Sequence, residues 1–381
     1  MSFNDLPDIC LWKIFENIDE AKDLIRLSKV CSRWSDLIRP RFNRVKYLHL
    51  LGSSDAVDYI DPNSLWINAD TKWNYYNLFK LFPNIKIIDS SAFDYHGSFD
   101  LPEIVKNNPQ IKGLIGYLDL LGSIYDLSNI EILASEFYFN VKSVFRPDQL
   151  KQVFGRFFNM EDLPSFIGYF PNLKRLHLRL YKADQVLYNG PHLSSLKILE
   201  LSTTDLVGKF IGLHFMDFCP SLESAFIGYR AKNIFVNESI KNYNLRDLVI
   251  EDIEWMQSSR LSWPLLKKLL SKFPNLQHLA IRHFVKLNVS NFDLEKLMKL
   301  LPKLKILDLR GCKKVTHKSA DFLSKYCVKE NRAIVIYYDC ENEPTEWPKL
   351  VNTRKRICYG LDFMKHFFYK KYMFLPDLVD E

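Results

Sequence analysis

Cysteine and histidine are the residues of this chain best suited to chemistry, and their spacing argues against it. The seven cysteines are Cys10, Cys31, Cys219, Cys312, Cys327, Cys340 and Cys358. None forms a CxxC pair and the count is odd, whereas zinc sites and disulfide frameworks need paired spacings. The expectation is reduced thiols, no metal and no cofactor. Nine histidines are scattered along the chain. His177 and His278 both fall on the same strand face of the repeated pattern described below, but no cysteine nucleophile or paired carboxylate adjoins either. No glycine-rich phosphate loop, HExxH, GxSxG or kinase signature is present. The chain is therefore expected to be a non-enzyme with no catalytic residue, acting by binding.

Composition narrows what it binds. Net charge is +7, from 52 basic and 45 acidic residues. That excess permits acidic partners without requiring nucleic acid. Apolar residues make up 47% of the chain, which excludes wholesale disorder. No segment reaches the roughly 18 apolar residues of a membrane span. The opening MSFNDLPD lacks the basic start of a secretory signal. Unpaired cysteines then point to the cytoplasm and/or nucleus.

Internal repeats set the architecture. An apolar anchor, often after Pro-Asn, is followed by apolar residues three and five positions on. Clear copies are FPNLKRLHL at 170–178, LSSLKILEL at 193–201, FPNLQHLAI at 273–281 and LPKLKILDL at 301–309. The anchors are Val45, Ile85, Ile111, Ile130, Leu173, Leu196, Leu222, Leu245, Leu276 and Leu304, about 29 residues apart on average. The steps 45–85 and 130–173 are long, and each holds an insertion or a degenerate repeat. Two leucines spaced LxL face one side of a short strand. One such unit cannot bury its own apolar face, so neighbours must stack. The stretch 301–327 resembles the cysteine-containing class of leucine-rich repeats, with Cys312 and Cys327 read as small buried hydrophobes.

Residues 6–39 read as three short helices, the third ending before Pro40. On the first, Leu11, Ile14, Phe15 and Ile18 form one stripe, while Ile9 and Trp12 project from the other side. A unit this small with surplus apolar surface needs a cover. Leu6, Pro7, Ile14, Phe15, Ile18, Asp23, Leu24, Leu27, Val30, Cys31, Trp34 and Leu37 match the pattern of the F-box, which this segment resembles. With the repeats behind it, the chain resembles F-box/leucine-rich-repeat proteins. That resemblance implies an α/β fold: a three-helix F-box, then a curved leucine-rich-repeat solenoid with a parallel concave sheet and convex helices. The implied domains are 1–40 F-box, 41–339 solenoid and 340–381 C-terminal cap.

The resemblance also implies the substrate-recognition subunit of an SCF-type ubiquitin ligase. Its partners would be a Skp-type adaptor, through it a cullin–RING ligase, and a protein target. Leu6, Pro7, Ile9, Ile14, Phe15, Leu24, Val30 and Trp34 are expected to bind the adaptor. Strand alternation places Arg175, His177, Arg179, Phe226, Arg282 and Arg310 on the concave side, where they are expected to bind substrate. The alternatives are a small-molecule-gated F-box sensor and an F-box-bearing scaffold without a ligase role. Aromatic insertions at 66–79 and 253–264, with Trp66, Trp73, Trp255 and Trp263, are recognition loops or convex packing. AIVIYYD at 333–339 is expected to be a final edge strand. The basic-aromatic end, with Arg354, Lys355, Arg356, Lys365, Lys370 and Lys371, is read as the cap.

Overall fold

A computed structural model describes residues 3–51, 63–68, 75–92, 101–116, 127–136, 141–181, 186–203, 207–252, 261–287, 289–340, 357–359 and 377–379. The fold is mixed α/β, with an N-terminal helical region and parallel sheet, and the chain divides into two compact units, Met1–Leu150 and Lys151–Glu381. The expectations for Trp73, Trp255 and the basic residues of the tail fall outside the described residues.

In the first unit, α1 (Asp8–Glu16), α2 (Ala21–Ser28) and α3 (Ser32–Arg44) precede β1 (Tyr47–Leu51), β2 (Ser64–Asn68), α4 (Tyr75–Leu81), β3 (Ile87–Ala92), α5 (Leu101–Asn107), β4 (Gly113–Ile115), β5 (Ile132–Glu136) and α6 (Val141–Val144). Its strands pair in parallel in the order β5-β4-β3-β1-β2.

In the second unit come β6 (Gln152–Asn159), α7 (Leu163–Tyr169), β7 (Arg175–Tyr181), β8 (Ile198–Thr203), β9 (Val207–Phe210), β10 (Ser224–Tyr229), β11 (Ala231–Ile234), β12 (Asp247–Asp252), α8 (Trp263–Leu270), β13 (His278–Arg282), α9 (Asn291–Leu300), β14 (Ile306–Asp308), α10 (His317–Lys329) and β15 (Val335–Tyr337). β16 (Ile357–Tyr359) pairs with β17 (Asp377–Val379). Its main strands are parallel in the order β15-β14-β13-β12-β10-β8-β7-β6. β15 falls within the stretch expected to be the last strand.

The repeated sequence explains this order. The anchor N–H closes a turn onto the carbonyl three residues back: Ile85 to Phe82, Leu222 to Cys219, Leu276 to Phe273 and Leu304 to Leu301. Proline suits the second position of that turn. In three places an Asn just before the anchor ties the turn to an earlier carbonyl. Asn84 donates to the Asn43 carbonyl, Asn244 to that of Pro220, and Asn275 to that of Tyr243. Every anchor is buried, as are the LxL pairs Leu176/Leu178, Leu199/Leu201 and Leu307/Leu309.

The two long steps resolve differently. Within 130–173 lies a further strand, β6, whose Val153 stands in register with Leu176. Within 45–85, β2 takes Trp66 out of the expected insertion and places it beside β1, on the side away from β3. Trp263 opens α8. Gly311 has a φ of 81°, and a Cβ there would meet the His283 backbone at 2.6 Å, so this turn of the cysteine-containing repeat requires glycine.

Candidate docking surface and inner strand face

The three helices close on a small core of Leu11, Phe15, Ala21, Leu24, Trp34 and Ile38. The Phe15 and Trp34 rings lie 5.3 Å apart. Three residues expected at the adaptor contact, Phe15, Leu24 and Trp34, are therefore core. The supposed stripe on α1 also splits. Leu11 and Phe15, one turn apart, point inward, Ile14 points outward, and Ile18 lies past the helix. α3 does not stop before Pro40 but runs to Arg44. Asp36, four residues before Pro40, is exposed, so solvent can serve the carbonyl that Pro40 leaves unbonded.

The outward surface is apolar. Phe3 is 47% exposed, Ile9 58%, Ile14 38% and Val30 55%. Pro7, Cys10 and Cys31 are exposed beside them in sequence, and Leu6 is half-buried. The free thiols of Cys10 and Cys31 thus sit at the surface.

Three arginines that motif reading passed over organise the module. Arg33 donates to the carbonyls of Asn4 (2.6 Å) and Leu6 (2.7 Å) and to the Asp8 carboxylate (2.8 Å). Arg41 is buried and donates to the Ile18 carbonyl and to Asp19. Burial lowers its pKa, and Asp19 opposes the shift. Arg44 pairs with Glu16 at 2.5 Å. The helices also join the first strands directly. The Trp66 N–H donates to the Asp19 carbonyl at 2.9 Å, and Glu20 bridges to Trp66, which covers the free edge of β2.

In the second unit, strand register lines up three rows on the strand face expected to be concave, the inner rows. Gln152, Arg175, Ile198, Ser224, Asp247, His278, Ile306 and Val335 form one. The next holds Phe154, His177, Glu200, Phe226, Val249, Ala280, Asp308 and Tyr337. Arg179, Ser202, Gly228, Glu251 and Arg282 form the third. Alternation thus placed Arg175, His177, Arg179, Phe226 and Arg282 correctly on one side, and Arg310 follows β14. The expected openness is corrected: Arg175, His177, Phe226, Arg282 and Arg310 are all buried, and only Arg179 is partly exposed. Strands buried on both faces carry charges only in partnered form. Arg282 meets Glu251 at 2.6 Å, and Arg310 meets Asp308 at 2.6 Å and lies over the Tyr337 ring. Asp247 accepts from Ser224 and contacts His278 Nδ1, each at 2.6 Å. The hydroxyl of Ser224 is thereby held by the carboxylate, not by the imidazole.

His177 stacks edge-on against Phe154, with Glu200 3.4 Å from Nδ1. Burial first, then Arg179 and Arg175, depress its pKa to about 3. Burial likewise pushes the Cys312 thiol up to about 12 and raises that of Cys219. Among the described residues, no cluster of His, Cys, Asp and Glu is placed to hold a metal ion, and no helix is long and apolar enough to cross a membrane.

Residues 3–44 match the F-box-like family, the span from the first turn to the end of α3. The chain thus carries an F-box-like domain at its N-terminus. A search of curated proteins finds no match.

Proposed function

We propose that this chain is the substrate-recognition subunit of an SCF-type ubiquitin ligase. The outward apolar set Phe3, Ile9, Ile14 and Val30, on a domain that matches the F-box-like family, carries the reading. A surface of that kind calls for a protein partner, and a Skp-type adaptor, bringing a cullin–RING ligase with it, is the partner that F-box domains take. The parallel strands with their buried LxL pairs support reading the remainder as a leucine-rich-repeat solenoid that holds a target protein. No bond is made by this chain. It raises the effective concentration of the target's lysines near the charged conjugating enzyme. The complex would work in the cytoplasm and/or nucleus. Arg179 and His278 are the partly open basic members of the inner rows and the first residues to test for target contact.

Affinity purification with and without proteasome inhibition tests the proposal. The wild-type chain should retain a Skp-type adaptor, and Leu6→Ala with Pro7→Ala should lose it. Failure of the wild-type chain to retain any such adaptor overturns the reading.

A second reading, a small-molecule-gated receptor, draws on two buried side chains of the inner rows. Among the described residues, the Gln152 amide and the Ser202 hydroxyl make no hydrogen bond. Buried polar groups normally have partners. Native mass spectrometry of the purified chain should show an added small-molecule mass if this reading holds.

A further inference from the structure

We infer that Arg33 is a positioning residue for adaptor docking: it clamps the Leu6–Pro7 segment to the start of α3. The inference rests on the docking role proposed above. The segment has little structure of its own. A short 3-10 turn, Phe3–Asp5, precedes it, Leu6 is held locally by one long bond to the Phe3 carbonyl (3.4 Å), and Pro7 stands at the cap of α1 with no side-chain cap bond.

What fixes the segment comes from 25 to 29 residues further along the chain. One guanidinium spans three successive points: Nη1 on the Asn4 carbonyl, Nη2 on the Leu6 carbonyl, and Nε and Nη2 on the Asp8 carboxylate, at 2.6 to 2.8 Å. Next to it in sequence, the Trp34 ring meets the Phe3 ring edge-on at 5.4 Å. Arg33 thus holds the Leu6–Pro7 pair from both sides, through the Asn4 and Leu6 carbonyls before Pro7 and the Asp8 carboxylate after it. Only a planar fork of donors serves three acceptors in this way, and a lysine ammonium does not. A docking segment with so little structure of its own must be ordered at the moment of binding unless it is already held.

The test uses the full-length chain and a purified Skp-type adaptor. Arg33→Ala should weaken binding about tenfold, the order expected when one to two residues must be ordered on association. Arg33→Lys should recover only part of it. In the free protein, amide exchange should speed up at Leu6, Asp8 and Ile9 while α2 and α3 keep their protection. A double-mutant cycle then separates positioning from contact. On a Leu6→Ala background, chosen because the single change should weaken binding without abolishing it, Arg33→Ala should cost clearly less than in the wild type. If Arg33→Ala binds like wild type, or costs the same on both backgrounds, the positioning role is wrong. If the wild-type chain itself fails to bind, the docking proposal falls and takes this inference with it.

Discussion

Asn275 donates its side-chain N–H to the Tyr243 carbonyl at 2.8 Å, one repeat back along the chain. Asn244 does the same to Pro220, and Asn84 to Asn43. The Asn that precedes the anchor at these three places is therefore not only a turn residue. Its side chain supplies the hydrogen bond that joins consecutive turns at the entrance to the strands.

That joint predicts a modest, local cost. Asn275→Ala should destabilise the second unit by about 0.5–1.5 kcal/mol, the usual net value of one such bond. Asn244→Ala should behave alike. Urea unfolding followed by circular dichroism would read both, and an unchanged midpoint in both variants would show that the inter-repeat bond contributes nothing.

The helical domain separates binding from folding. Ile9→Asp and Val30→Asp alter exposed positions and should leave stability within about 0.5 kcal/mol. Each should weaken adaptor binding about thirtyfold or more if it sits at the centre of the contact. Phe15→Ala should instead cost about 3–5 kcal/mol of stability, because it empties a packed site against Trp34. Adaptor titration beside thermal unfolding distinguishes the two classes. Equal loss of stability in both would deny that Ile9 and Val30 form a free surface.

These two behaviours show what could be read from residues alone. The anchors and LxL pairs were legible because a turn followed by a period-two strand leaves a fixed apolar spacing. β6 escaped because Gly155 stands where its second leucine would be, although PDQLKQVFG at 147–155 keeps the anchor at Leu150. β2 escaped because its pairing with β1 lies outside the regular succession of repeats. On the F-box-like domain, the motif residues were visible but their division was not, since Phe15 and Ile14 are both apolar and only packing separates them. The inner rows were placed by alternation. Their burial was not foreseen, because exposure depends on what packs over a face and not on the strand's own period. Arg33 left no apolar signal and went unnoticed, as did Arg41.

Acid should weaken the second unit through His177. Its pKa falls from 6.5 in the unfolded chain to about 3 in the folded one. Between those values the unfolded state binds more protons, so stability is fully present above pH 6.5 and is lost as pH falls toward 3. The slope contributed by this one group is at most about 1.4 kcal/mol per pH unit. Replacing His177 by Gln should flatten that limb of the stability–pH curve without altering the neutral plateau's slope. An identical acid limb in the variant would mean that His177 is not the group responsible.

Lys272 and Asp217 form an ion pair in which both side chains are almost wholly buried, and Lys272 also donates to the Asn237 carbonyl at 2.9 Å. Burial raises the Asp217 pKa above its ordinary 3.8, and the hydrogen bond and charge of Lys272 pull it back down. Lys272→Met removes the cation and leaves the carboxylate in an apolar setting, so at neutral pH it should cost about 3–5 kcal/mol. Without its partner, Asp217 titrates higher still. The deficit should therefore shrink as pH falls toward the carboxylate range, where protonation relieves the stranded charge. Adding Asp217→Leu to Lys272→Met should recover most of the loss, because the second change removes the uncompensated group. Chemical unfolding of the single and double variants at neutral and mildly acidic pH measures all three effects. A single-variant deficit that stayed constant across that range, or a double variant no more stable than the single one, would show that the cost comes from lost packing around Lys272 and not from the buried charge of Asp217.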